Sequence, residues 1–309
     1  MTSDQPSSGH DHRSNTIAPM IWGVGVLVMA VFVGWQLLRP SARSVVTHQP
    51  AQVNQTAGAI GMLPSVEMTP ELVRGRSFFE MSCALCHGER GDGNGRFSMG
   101  QTPRPRDFRR AKFKFTTTTN QVPSDDDLVR LFRVGVPGAT MPGYPQADRG
   151  ELLAVAAYVR KLTADGVSVD LSREIASGTL SLDEAKRMLA ARTTPGVPVV
   201  VPPEPVVDES RLANGKRVYL EACVKCHGAD GTPDISEALF DEDGTRNIPR
   251  RFAQGYFKGG EEGALLFVRV LNGMPGTPMP SFKDAYSPAD IWDVVHYLQR
   301  LSLHGKPRG

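Results

Sequence analysis

Cysteine is scarce: the 309 residues hold four, and all four fall in two copies of one five-residue pattern. None is left over for a disulfide scaffold. Aromatic residues are sparse too, at 7%. Charge of a single sign is missing, since 35 Lys plus Arg face 33 Asp plus Glu for a net +2. A chain so balanced carries no basic footprint for nucleic acid. Long apolar runs are absent with one exception, which excludes a polytopic membrane protein. A charged fraction of 22% beside 40% hydrophobic residues excludes a wholly disordered chain. What is plentiful is Gly (31) and Pro (24), together about 18% of the chain against roughly 12% on average. Loops are therefore expected to carry much of the structure, and the length leaves room for two domains plus appendages.

The exceptional run is residues 17–38, 22 positions without a charge. As a helix it would span about 33 Å, enough for a hydrocarbon core of about 30 Å. Trp22 and Trp35 stand near its ends, where amphipathic rings suit headgroups. A cleaved secretory signal is the competing reading, but the run exceeds the usual apolar region and no A-x-A site follows. We read 1–16 as a cytoplasmic tail, 17–38 as a transmembrane anchor and 39–68 as a flexible tether. The arginine bias around the run, Arg39 and Arg43 against Arg13, would by itself place the C-terminal side in the cytoplasm. The chemistry of the remaining chain argues the reverse.

That chain is a repeat. Gly75, Phe79, Cys83, Cys86, His87 and Gly88 recur 140 positions later as Gly215, Tyr219, Cys223, Cys226, His227 and Gly228. Gly135, Pro137, Gly138, Met141, Pro142 and Tyr144 recur 138 positions later as Gly273, Pro275, Gly276, Met279, Pro280 and Phe282. Pro105, Phe108, Phe113 and Lys114 correspond to Pro249, Phe252, Phe257 and Lys258. Amphipathic helices are expected over 152–162 and 291–301, with Tyr158 opposite Tyr297. We bound the two copies at 69–162 and 208–303. Between them, 163–207 reads as a Pro-rich linker, its prolines favouring an extended, semi-rigid spacer over 195–205. Within it, 181–192 is a short helix opened by Ser181 and Glu184 at capping-box spacing; 304–309 is a tail. Charge separates the copies: 15 Lys plus Arg against 10 Asp plus Glu make the first +5, while 11 against 14 make the second −3. Either this is drift on solvated surfaces, or the copies dock to each other or to unlike partners.

The repeated pentad is Cys-x-x-Cys-His, the attachment pattern of a c-type haem. Cys83, Cys86, Cys223 and Cys226 would form thioethers, and His87 and His227 would bind the irons. Zinc knuckles would lie far closer together than Cys86 and Cys223, a thioredoxin-like pair needs no following His, and disulfides remain the third alternative. A sixth ligand is expected from Met141 and Met279, each in a Gly- and Pro-rich loop before a proline. Met274 competes for the second iron, but its counterpart is Val136, so the repeat selects Met279. Met81, Met99 and Met188 read as core filler. His296, whose counterpart is Ala157, reads as a packed core histidine. Arg104, Arg106, Arg250 and Arg251 are candidate partners of haem propionates, with solvated surface positions the commoner outcome.

Each copy thus resembles a class I cytochrome c domain, over about 95 residues. The resemblance implies an all-α fold of two such domains in tandem behind the N-terminal helix. In each, the first and last helices would cross at Gly75 or Gly215, with Phe79 and Tyr219 packing on Tyr158 and Tyr297. The implied function is a membrane-anchored dihaem cytochrome. It would relay single electrons through two covalently bound haem c groups in a bacterial respiratory or related chain, with the haem domains on the periplasmic side. Its partners would be redox proteins and the membrane, without nucleic acid or a small-molecule substrate. Two enzymatic layouts are similar. A dihaem cytochrome c peroxidase uses unlike haems, whereas the two Met loops here are alike. A dihaem thiosulfate dehydrogenase needs a cysteine ligand, whereas all four are committed. A cytochrome subunit of a larger dehydrogenase or oxidase is compatible with the carrier.

Overall fold

The computed structural model describes Leu63 and residues 66–236 and 238–304. All belong to one body, Gln52–Gly309. The apolar run 17–38 lies outside the described residues, among which no helix is long and apolar enough to cross a membrane.

Each copy begins with a capped helix running into the Cys-x-x-Cys-His. Helix α1 (Pro70–Ser82) starts where Thr69 Oγ1 accepts from Leu72 N at 3.2 Å, and the turn α2 (Ala84–His87) follows at once. A 3₁₀ turn at Phe108–Arg110 and helix α3 (Asp125–Val134) lead to α4 (Arg149–Ala176). Ser124 with Asp127, and Asp148 with Glu151, close capping boxes at the starts of α3 and α4. After α5 (Leu182–Thr193) the second copy repeats the plan: α6 (Glu209–Ala222), α7 (Val224–His227), a 3₁₀ turn at Phe252–Gln254, α8 (Gly263–Asn272) and α9 (Pro288–His304). The expectation of an all-α chain needs one amendment. A two-residue antiparallel hairpin pairs β1 (Leu239–Phe240) with β2 (Arg246–Asn247).

The crossings lie at the expected glycines. A β-carbon on Gly75 would run into the carbonyl of Ala154 in α4, and one on Gly215 into that of Asp293 in α9. Without a side chain the backbones touch, and the aromatics one turn on fill the rest. Phe79 lies 5.4 Å from Tyr158 and Tyr219 lies 5.4 Å from Tyr297, centroid to centroid.

Two stretches depart from expectation. The closing helix of the first copy, expected over 152–162, continues to Ala176 because the apolar period continues through Val167, Leu171 and Ile175. Gly166, which looks like a stop, is a contact: a β-carbon there would strike the backbone of Arg109. The extended α4 and α5 form a hairpin with its own core of Val167, Leu171, Ala185 and Leu189, into which Leu63 of the expected tether is also buried. The Pro-rich stretch is extended, yet it is a strap sewn to both copies rather than a free spacer. Thr119 N donates to Val197 O at 2.9 Å and Val199 N to Thr117 O at 2.8 Å. Trp292 Nε1 donates to Pro202 O at 3.1 Å, and Val199 and Val201 pack on the second core.

The copies also meet directly, in a reciprocal pattern. Tyr256 fills the space a side chain at Gly138 would need, while Lys112, its counterpart, lies against Gly276, the counterpart of Gly138. Phe115 lies against Gly259, the residue that corresponds to itself. Reciprocity of this kind is the mark of a two-fold interface between like surfaces. The charge difference between the copies also meets here: Lys114 Nζ lies 3.0 Å and Arg106 Nη2 3.6 Å from Asp241 Oδ2, and Lys112 Nζ 3.4 Å from Glu242 Oε2.

Candidate functional site

The Cys-x-x-Cys-His is folded identically in both copies. The preceding helix ends as Cys83 N donates to Phe79 O, then His87 N donates back to Cys83 O at 2.9 Å, so the two thiols and the imidazole sit on one short turn. Cys223 and His227 repeat this at 2.9 Å. Gly88 and Gly228, at φ 77° and 75°, let the chain leave in a conformation that a side chain would strain.

Each histidine is fixed by a carbonyl. His87 Nδ1 lies 3.0 Å from Arg106 O, and His227 Nδ1 lies 3.0 Å from Arg250 O. A carbonyl only accepts, so Nδ1 carries the hydrogen and Nε2 keeps its lone pair for a metal. Phe108 and Phe252 stack on the rings at 4.5 Å, which sets their orientation. Burial lowers the pKa of both histidines and favours the neutral ring a metal needs. The thiols move the other way. Burial, with the neighbouring Cys86, pushes Cys83 up to about 12, and burial with Cys226 pushes Cys223 up to about 11. Such thiols are poor thiolate nucleophiles, unlike those of a redox-active Cys-x-x-Cys. All four are unpaired. Among the described residues no three His, Cys or carboxylate groups converge as a metal-ion cage would require.

One continuous cavity of about 330 Å³ joins the two sites. Cys83, Cys86, His87 and Met141 line it from the first copy and Cys223, Cys226, His227 and Met279 from the second. The methionine loops are alike: Val136 N donates to Met141 O at 3.1 Å, and Met274 N to Met279 O at 3.1 Å. Met141 and Met279 pack against the first and second cores respectively. Met274 also lines the cavity, at the register of Val136.

The walls fit a flat apolar group with acidic edges. Phe79, Phe113, Leu128, Phe257, Leu266 and Leu298 supply apolar surface. Arg106, Lys114, Arg250 and Lys258 supply cations. Arg250 Nη2 is buried without a hydrogen-bond partner, and a propionate carboxylate would satisfy it. Of the other arginine candidates, Arg104 also lines the cavity but is exposed and donates to Asn94 Oδ1 at 2.9 Å, while Arg251 is exposed and does not line it. Lys114 and Lys258, known from the sequence only as repeat partners, line the cavity beside Phe113 and Phe257, each one residue earlier.

His296 is 3% exposed, stacks on Trp292 and meets Glu204 Oε1 at 3.1 Å, away from the cavity. Met188 packs on the helical hairpin. Met81 and Met99 are not filler, at 73% and 85% exposed. Met81 lies on the outer face of α1, and Met99 on a loop that turns outward.

The comparisons agree with this geometry. The cytochrome c family profile matches twice, over residues 72–163 and 212–302. Among solved structures, a chain of the Kuenenia stuttgartiensis reducing HAO-like protein complex is similar, with 30% identity and a TM-score of 0.62, over 77% of this chain and 98% of that one. No curated protein matches. The two profile matches span more than half of the chain and each contains one Cys-x-x-Cys-His, so the chain binds two covalent haem c groups for electron transfer and belongs to the cytochrome c family.

Proposed function

We propose that this protein is a membrane-anchored dihaem relay that passes single electrons between protein partners in a bacterial respiratory or related chain. The supporting observation is the one cavity lined by both histidines and both methionine loops. Haem iron supplies the one-electron couple when bound. Cys83, Cys86, Cys223 and Cys226 hold the groups in thioether linkage. His87 and His227 offer Nε2, oriented by the carbonyls of Arg106 and Arg250. Met141 and Met279 offer thioethers from the opposite loops, a choice that raises the potential relative to two histidines. With an imidazole and a thioether both bound, each iron would keep no open place for a substrate, and the apolar walls would limit its contact with water. The helix over 17–38 would anchor the chain in the cytoplasmic membrane with 1–16 inside and both haem domains on the periplasmic side.

A second reading is favoured by the similarity to a chain of a reducing complex over nearly that chain's whole length. Here the chain serves as the cytochrome subunit of a larger oxidoreductase. A relay can be free or built in, and isolation of the native assembly from membranes separates the two. The relay itself is tested by haem staining and by oxidised and reduced optical spectra of the full chain. Two covalent haems with the methionine–iron charge-transfer band are expected. High-spin iron with hydrogen-peroxide turnover would instead indicate a peroxidase-like enzyme.

A further inference from the structure

The two sites offer the same set of side chains, so a functional difference between them must come from their surroundings. At the junction of the copies those surroundings differ in charge. In the first copy Arg106 and Lys114 both meet the buried carboxylate of Asp241, at 3.6 and 3.0 Å. Their counterparts in the second copy, Arg250 and Lys258, pair with no carboxylate among the described residues. Arg250 is held by neutral groups, Tyr256 O at 2.9 Å and Gln254 Oε1 at 2.6 Å, and its Nη2 is left over. Lys258 faces Arg250 and Lys114, and burial together with those cations draws its pKa down. A third cation, Arg269, lines the cavity where the first copy has Leu131, its guanidinium 5.3 Å from the ring of Phe115 and within reach of Glu262, which offsets part of its charge.

From this asymmetry we infer that the second site is the higher-potential member of the pair, the first being held lower by Asp241, so that electrons enter at the Cys83 site and come to rest at the Cys223 site. The inference rests on the two-haem relay proposed above. An iron that takes up an electron loses one positive charge, so uncompensated cations nearby favour its reduced form. The propionates are common to both sites and cancel in the comparison; the unmatched cations do not. The net charges of the copies, +5 and −3, would favour the opposite order. They are mostly exposed, however, and screened beyond about 8–10 Å, whereas half-buried charges act roughly fourfold more strongly than in bulk water. Arg104, an additional cation of the first site, is exposed and acts weakly for the same reason. In the transfer one electron leaves the reduced first iron and reduces the oxidised second iron. No bond forms or breaks. A reduced donor protein refills the first site and an oxidised acceptor protein empties the second.

Spectroelectrochemical titration of the full-length holoprotein tests the order, with Met141→Ala marking the first site. Two waves are expected, of which Met141→Ala moves the lower. Lys258→Met should lower the upper wave, and Asp241→Asn should raise the lower one, each narrowing the gap. Lys258→Met keeps the test valid if loss of Asp241 disturbs the junction. Movement of the upper wave by Met141→Ala, or an unchanged gap in Lys258→Met, would overturn the order while leaving the relay intact. Fewer than two covalent haems would overturn both.

Discussion

A carbonyl oxygen does the decisive work at each histidine. Arg106 O and Arg250 O can only accept, so they select the tautomer that leaves Nε2 free. Neither side chain is involved, and replacing Arg106 should therefore leave His87 oriented. The glycine crossings are equally local. Gly75→Ala would press a methyl group into the carbonyl of Ala154, which belongs to a helix and cannot turn away. We expect it to destabilise the first copy by about 3 kcal/mol, the upper end for overpacking, as measured by urea denaturation of the holoprotein. Much at this scale was legible. Haem attachment needs two thiols and an imidazole adjacent in sequence, and the repeat puts Met279, not Met274, at the register of Met141. Exposure was not legible for Met81 and Met99, because it depends on which way a helix face or loop turns. The lysines of the cavity gave only a weak signal, the shared Phe-Lys at 113–114 and 257–258.

At the scale of elements, amphipathic period placed the two closing helices and a capping box placed the one at 181–192, whereas α3 and α8 had no sequence expectation of their own; partnership decided the lengths. Helix α4 runs past Gly166 because Arg109 packs there, a contact 57 positions away in sequence that no local propensity encodes. The capping box at 181–184 was readable because both partners lie within one turn. Hydrogen bonds from Ser181 hold the Glu184 carboxyl below its usual pKa. Its small contribution is thus present above the ordinary carboxylate range and fades as pH falls through it; Glu184→Gln should flatten that acid dependence of the hairpin's stability. The strap shows what composition leaves out. Its prolines made it extended, but Thr117, Thr119 and Trp292 determine where it lies. Trp292→Phe removes the donor to Pro202 O and should cost about 1 kcal/mol, read by denaturation monitored at the second haem.

Across the whole molecule, the charge difference left drift and docking between the copies equally open, and the reciprocal contacts around Phe115 show the copies docked. A like-on-like interface between fused copies brings their cavities into one, which a flexible linker would not achieve. Phe115→Ala should weaken this interface by about 2 kcal/mol and separate a single thermal transition into two, as followed by calorimetry.

The claim that unites these scales is that the two copies hold alike His/Met sites on one cavity. Its most direct test is the methionine–iron charge-transfer band in the near infrared, compared across Met141→Ala, Met279→Ala, the double variant and Met274→Ala. Each of the first two should lose about half of the band, the double variant all of it, and Met274→Ala none. Loss of half the band in Met274→Ala with Met279→Ala intact would contradict the account.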